Sequence, residues 1–511
     1  MSCATQGCPA ALKCGTDKTC HGWGAVYGSG GTFGVESMTS DSQGNIYIIG
    51  FFKGTATIGA KTYTSVGNND LFVTKISPTG SVLWTTHVGA TAVSVYGRAI
   101  GVQSFGGDVY ITGTIVGNVI RPSFQGATGP VTPIGRWGTY TYFYGVIQNG
   151  FFRRVNISGV NIGQSIDVGD IVVDDANRQN SYVYVTGYTK GTTNVPFDAQ
   201  GAKILTTPTG YQSSAFVVQY DLSGVCQNIY SVHATGTIEH PRMALFQHPQ
   251  PIPRGKGNQV AITATYSGRI MGTRTTPAKT FMFTSNGSSL DIFVAKFNTF
   301  NADLQMLASF GGSGIDHAGD IVEEQSPQGD TGAFLLTGYL HGAVTIGTLP
   351  ALTTSNAYQQ SFVTRLDAGD AFSWAHYLTP QNARSTKGVG IYSHFDGSIH
   401  IFGEGYGTFG THTPSQSNLI SNNSFFVSII RNPQTQTLQY VGVGHPYKVG
   451  SLLNNALYPK RLAADWQGLL FLGAIRGEFG IETHESTHTF KGDATKNQPW
   501  VLRVPFPQLP Q

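Results

Sequence analysis

The chain has 511 residues, enough for two to four ordinary domains or for one large all-β domain. Its 66 glycines are about twice the usual share and its charged residues, at 12%, about half of it; a helical protein would draw on more Glu, Lys, Ala and Leu. A formal charge of +3 with scattered basic residues excludes a nucleic-acid groove, and no apolar run reaches membrane-spanning length.

Four of the five cysteines stand in the first twenty residues: Cys3, Cys8, Cys14 and Cys20. Their spacing lacks the C-x2-C pairs usual in zinc knuckles and ribbons. Disulfides within the tail or to a neighbouring chain, a zinc site, and free thiols are all compatible with it. Disulfides would imply oxidising surroundings. The first 25 residues also lack the continuous apolar segment of a secretory signal. Residues 1–21 therefore read as a Cys-rich tail, followed by a strand over 22–30.

From there the chain repeats. Seven segments share an apolar stretch, a small residue and a Gly four positions later, beginning with "IYIIGFFKG" (46–54) and "VYITGTIVG" (109–117). The small residues are Gly50, Gly113, Gly187, Ala264, Gly338, Gly403 and Gly473. After each comes an aromatic three residues before a mostly basic position, as in "LFVTK" (71–75), "IFVAK" (292–296) and "PWVLR" (499–503). A short apolar strand precedes each unit and another follows, giving four strand candidates per unit. Four-stranded units in series predict an all-β, single seven-bladed β-propeller with antiparallel blades near 34–90, 91–160, 163–236, 237–314, 315–380, 381–447 and 448–505. "WVLRV" (500–504) has no fourth strand after it, so the segment 22–30 is expected to close the last blade and remove the open edges.

The connections after the second strand are longest at 118–149, 192–213 and 269–289. The first holds "GRWGTYTYFYG" (135–145), whose Arg136, Trp137, Tyr140, Tyr142 and Tyr144 are candidate binding-surface residues. Covering the hydrophobic surface of their own blade is the other reading of so many rings. The acidic run "IDVGDIVVDDAN" (166–177) lacks EF-hand spacing and is expected to be a turn after a first strand. Cys226 reads as ordinary packing. Sequons stand at Asn156, Asn286 and Asn422.

Near the end, "THESTHTF" (483–490) spells the zincin string H-E-x-x-H at His484, Glu485 and His488. It stands where other units have the connection between strands two and three, and its threonines favour strand or loop. On a strand, a four-residue offset separates the imidazoles by about 13 Å, too far to share one ion. The string is read as a chance match. No P-loop, dinucleotide fingerprint or nucleophile elbow is present, so no catalytic residue, metal or cofactor is assigned.

"SDSQGNIYIIGFFKG" (40–54) followed by "NNDLFVTKISPTGSVLWTTHVG" (68–89), and "GGSGIDHAGDIV" (311–322), resemble the SBBP-type β-propeller repeat. The match is closest in units one, three and five; units two, four, six and seven lose the D-x-F or K positions. The resemblance implies a seven-bladed propeller of surface or extracellular proteins and carries no catalytic residues. The function expected is a non-catalytic structural or interaction component of a larger surface or virion-like assembly. Its partners would be proteins, a second copy of itself among them, or a glycan. A ligand-binding propeller and a propeller hydrolase or lyase are the alternatives.

Overall fold

The computed structural model describes residues 13–14, 20–21 and 23–504, except 104–106, 118–122, 125–130, 135–139, 160–163, 175–180, 192–193, 198–202, 247–257, 287–288, 327–330, 354–357, 379–384, 406–423, 432–437, 449–455, 466–467, 477, 483–486 and 492–494. Every regular element among them is a β-strand. The chain divides into two compact units: residues 1–97, 379–392 and 397–511 in one, 98–378 and 393–396 in the other.

In the second unit, the sheet built on Ser165–Asp174, Tyr182–Lys190, Ser213–Asp221 and Cys226–Ala234 shows how the repeat folds. Successive strands pair antiparallel, and the two middle strands are buried on both faces, which explains their nearly continuous apolar sequence. The first strand carries a bulge between Val168 and Asp170. Bulges recur in first strands at Val35/Ser37, Glu239/Arg242, Ala318/Asp320 and Pro459/Arg461. They turn a carbonyl down onto the small residue of the second strand. A Cβ at Gly187 would meet the Asp167 carbonyl oxygen at 2.4 Å and the Phe216 ring at 2.5 Å. At Gly338 it would meet the His317 carbonyl oxygen at 2.2 Å. Close approach, not flexibility, selects the small residue.

The threonine before that residue has its own reason. Thr112, Thr186, Thr263 and Thr337 are buried and donate to the carbonyls of Phe143, Phe216, Phe293 and Phe362 at 2.8–3.0 Å. Thr186→Val should therefore lower unfolding stability by about 1 kcal/mol, read as a lower urea midpoint at unchanged m.

In the first unit, Trp23–Val26 pairs antiparallel with Gln498–Val504, at the margin of the sheet that contains Trp500. Trp23 Nε1 donates to the Pro78 carbonyl at 2.8 Å and the Tyr27 hydroxyl to Gly80 at 3.1 Å, seating this strand on the neighbouring sheet. Cores form in the same way in both units, between faces of consecutive sheets. Phe402 and Phe426 pack on Phe471 and Trp500 in one, and Tyr142 and Tyr144 pack with Phe216 and Tyr220 in the other.

The expectation of a single seven-bladed propeller with four strands per blade is corrected by the sheet topology. The described strands form eleven separate sheets of two to six strands, none closed on itself. The cause lies in the connections between second and third strands. Three of them are hairpins that pair onto strands of another repeat rather than their own. Thr55–Ile58 and Lys61–Thr64 extend Gly28–Ser29; Arg269–Arg274 and Lys279–Thr284 extend Cys226–Ala234; Glu478–Glu482 and Thr487–Lys491 extend Leu438–Lys448. Pairing thus crosses the repeat boundaries drawn from sequence.

Candidate functional site

The first strands of four sheets in the second unit bring charged and imidazole side chains together. Arg98 lies on Ser94–Val102, Asp167 on Ser165–Asp174, Glu239, His240 and Arg242 on Ile238–Phe246, and His317 on His317–Glu323. Bulges stand beside Asp167, His240 and His317 in the last three of these strands. Arg98 grips Asp167 in a two-point pair, Nε to Oδ1 at 3.2 Å and Nη2 to Oδ2 at 3.1 Å. Thr114 Oγ1 donates to the same carboxylate at 2.6 Å and the Val168 amide at 2.9 Å. Such bidentate geometry fixes both side chains rather than leaving them as mobile surface charges.

Alongside, Lys190 meets Glu239 at 3.1 Å, and Arg242 donates to the Gly169 carbonyl at 2.9 Å. The two strands approach very closely there, since a Cβ at Gly169 would lie 1.9 Å from the Pro241 carbonyl oxygen. His240 sits in the bulge with φ at 53°, a left-handed conformation that costs a non-glycine residue energy, and the residue reaches solvent although its ring is largely desolvated. Its ring stands 5.3 Å from that of His317, which stacks on Tyr339 at 5.4 Å with 11° between planes.

The protonation states follow from the partners. His317 Nδ1 lies 2.8 Å from the Ala318 carbonyl, which can only accept, so Nδ1 carries a proton. Desolvation, reinforced by Arg242, holds His240 below the ordinary imidazole value against the opposing pull of Glu239 and Asp167. Burial first, and then Asp167 and Glu239, push the Tyr188 hydroxyl well up, so it stays a neutral donor. The cluster therefore offers fixed donors, fixed acceptors and two imidazoles beside a flat ring. Strain in a bulge beside titratable groups is the usual mark of a functional surface.

The residues singled out from sequence are placed differently. Tyr142 and Tyr144 are 1% and 0% exposed, stacked or hydrogen-bonded to Tyr220 in the core, so a binding-surface role for them is withdrawn. Tyr140 is 37% exposed and close enough to Tyr188 to interact with it electrostatically, which puts it at the rim of the cluster. Arg136 and Trp137 lie outside the described residues, as do Cys3 and Cys8. The backbone of Cys14 pairs directly opposite Cys20 in a two-residue ladder. The run 166–177, expected as a turn, is instead a first strand through Asp174, with Asp167 in the cluster and Asp170 buried. Cys226 is buried with its thiol 3.8 Å from the Asn228 carbonyl, and Asn156 is buried with its amide donating to the Gly224 carbonyl.

His488 stands opposite Ile481 in a hairpin, while His484, Glu485 and Ser486 fall outside the described residues. Among the described residues no group of three or more His, Cys, Asp or Glu is placed to hold a metal ion, and no helix is long and apolar enough to cross a membrane.

No family model matches the chain, and no curated protein sequence matches it. Among solved structures, a chimera of apocarotenoid oxygenase (ACO) and RPE65 covers 95% of this chain and 95% of its own, at 11% identity and a TM-score of 0.35. A single-residue variant of the Synechocystis apocarotenoid oxygenase covers 95% of each chain at 10% identity and a TM-score of 0.34. These neighbours are oxygenases by description and none is a virion or surface-assembly part. The expectations of a non-catalytic structural component, of a virion-like assembly and of a chain without enzymatic character are withdrawn. Likeness at this level, for its part, transfers no activity, substrate or metal to the chain.

Proposed function

We propose that the second unit binds a small polyhydroxylated molecule at the cluster of Arg98, Asp167, Glu239, His240 and His317. One observation carries the reading. An exposed, strained His240 faces His317 beside an immobilised guanidinium–carboxylate pair. Neighbouring hydroxyls need donors and acceptors held a fixed distance apart, and a fixed Arg–Asp fork supplies both. The His317 ring, stacked on Tyr339, adds the flat surface that sugar-like ring faces stack on. The His240 imidazole, its pKa lowered, can both donate and accept in its neutral form.

The reading is tested with free sugars, sugar acids and polyols, screened by ligand-observed NMR and quantified by calorimetry on the full chain. His317→Ala should weaken binding of any hit by about tenfold or more, while Tyr358→Ala, exposed and outside the cluster, leaves it unchanged. Affinity unaffected by His317→Ala, or no binding across the panel, overturns the proposal. The same NMR samples, left overnight, report any turnover of the bound compound.

A further inference from the structure

The hairpin over 269–284, one of the long connections, ends in an edge that ligand binding at the cluster does not use. Its second strand, Lys279–Thr284, is the last in a six-stranded sheet, so among the described residues one side of its backbone has no strand partner. Exposed edges present unpaired N–H and C=O groups and are ordinarily blunted by a bulge, a proline or a very short length. This one runs six residues with unbroken register, no proline within it, and the sequence K-T-F-M-F-T. Phe281 and Phe283 anchor one face against the core of the unit, while Thr280, Met282 and Thr284 face solvent, Met282 being 50% exposed.

Charge selects the partner. The hairpin carries Arg269, Arg274 and Lys279 and no acidic residue between 269 and 284. Arg274 and Lys279 are direct cross-strand partners, a like-charge pair that costs stability. Both are held on the Phe281 ring, the guanidinium 5.9 Å and the ammonium 4.6 Å from its centroid. Asp303, within electrostatic reach of Arg274, is buried beneath the turn and already accepts the Thr275 and Thr276 amides and the Thr275 hydroxyl. A carboxylate arriving from outside would relieve the paired cations.

We propose that the outer edge of Lys279–Thr284 docks an extended acidic segment of a partner protein, added to the sheet as a further strand. Main-chain hydrogen bonds would supply affinity, and Arg274 and Lys279 would supply selectivity.

Fluorescence anisotropy on the full chain tests this with two labelled peptides, one of alternating Glu and Val and one of alternating Lys and Val. The acidic peptide should bind at least about tenfold more tightly in low salt, and Lys279→Glu should remove that preference. Thr280→Pro, with the β-sheet circular dichroism retained, should weaken the acidic peptide by a similar factor, since proline takes a donor from the strand. Equal binding of the two peptides, binding that survives both substitutions, or no binding overturns the proposal. So does concentration-dependent dimerisation of the unmodified chain that Thr280→Pro abolishes, because the edge would then belong to a second copy.

Discussion

Asp465→Asn should lower the unfolding free energy of the first unit by about 3 kcal/mol or more, seen as a large drop in urea midpoint. The Asp465 side chain is 3% exposed and that of Arg503 0%. Their ion pair closes at 2.7 Å, and a second guanidinium contact reaches the other carboxylate oxygen at 3.2 Å. Arg503 also donates to the Gly44 carbonyl at 2.9 Å, tying one sheet to the turn of the next. Burial alone pushes the guanidinium pKa down, and Asp465 is the main group that pulls it back. The amide keeps the shape of the carboxylate but removes its charge and turns a donor toward a donor. An uncompensated buried cation is far costlier than the pair it came from. Asp465→Asn combined with Arg503→Met should therefore recover much of the loss, because removing both charges leaves no orphan. Equal destabilisation in the single and double variants would show that packing, not charge compensation, sets the cost.

The repeat was readable because each of its letters answers a local demand. Gly187 and Gly338 are small because a first-strand carbonyl and an aromatic ring occupy the space of a Cβ. Thr186 and Thr337 recur because a buried hydroxyl fits the strand-three carbonyl. Alternation and turn residues then mark the strands. What the repeat does not encode is pairing beyond itself. The hairpins over 269–284 and 478–491 join strands of another repeat through registers such as His233↔Met271 and His445↔Glu482, and those residues belong to no shared motif.

The site was hidden for a related reason. Arg98, Asp167, Glu239 and His317 lie on the first strands of four sheets, and each is a different residue type. A search for similarity between units discards the positions where units differ, and those are the positions that carry chemistry. The aromatic run at 140–144 misled in the opposite direction. Rings suited to a partner are equally suited to a core, and only the burial of Tyr142 and Tyr144 on a strand covered on both faces separates the two.

Between pH 5 and 8 the chain should lose stability relative to Asp316→Asn, by about 2.5 kcal/mol. Asp316 is fully buried in the second unit and holds two turns at once. Its carboxylate accepts the Gly312 amide at 2.5 Å and the His341 amide at 2.6 Å. Those bonds favour the charged form, yet burial outweighs them and Asp291 adds to it, raising the pKa from 3.8 to about 7. The groups facing it are Asp291, itself raised by burial, the His341 ring on the turn it holds, and Tyr377, whose hydroxyl is raised by burial and by Asp316. The sign follows from proton counting. From about pH 4 to 7 the unfolded chain has released this proton and the folded chain keeps it, so folding takes up a proton and stability falls as pH rises; above 7 both have lost it and the slope ends. The Asn variant has no proton to exchange. Its amide can accept only one of the two N–H groups, a cost independent of pH, so the diagnostic quantity is the difference in slope and not the difference in stability at any one pH. Urea unfolding of both proteins at pH 5, 6.5 and 8 measures it. Parallel slopes would mean that the two backbone donors outweigh burial and keep Asp316 ionised throughout, with the turns held by charge rather than by a shared proton.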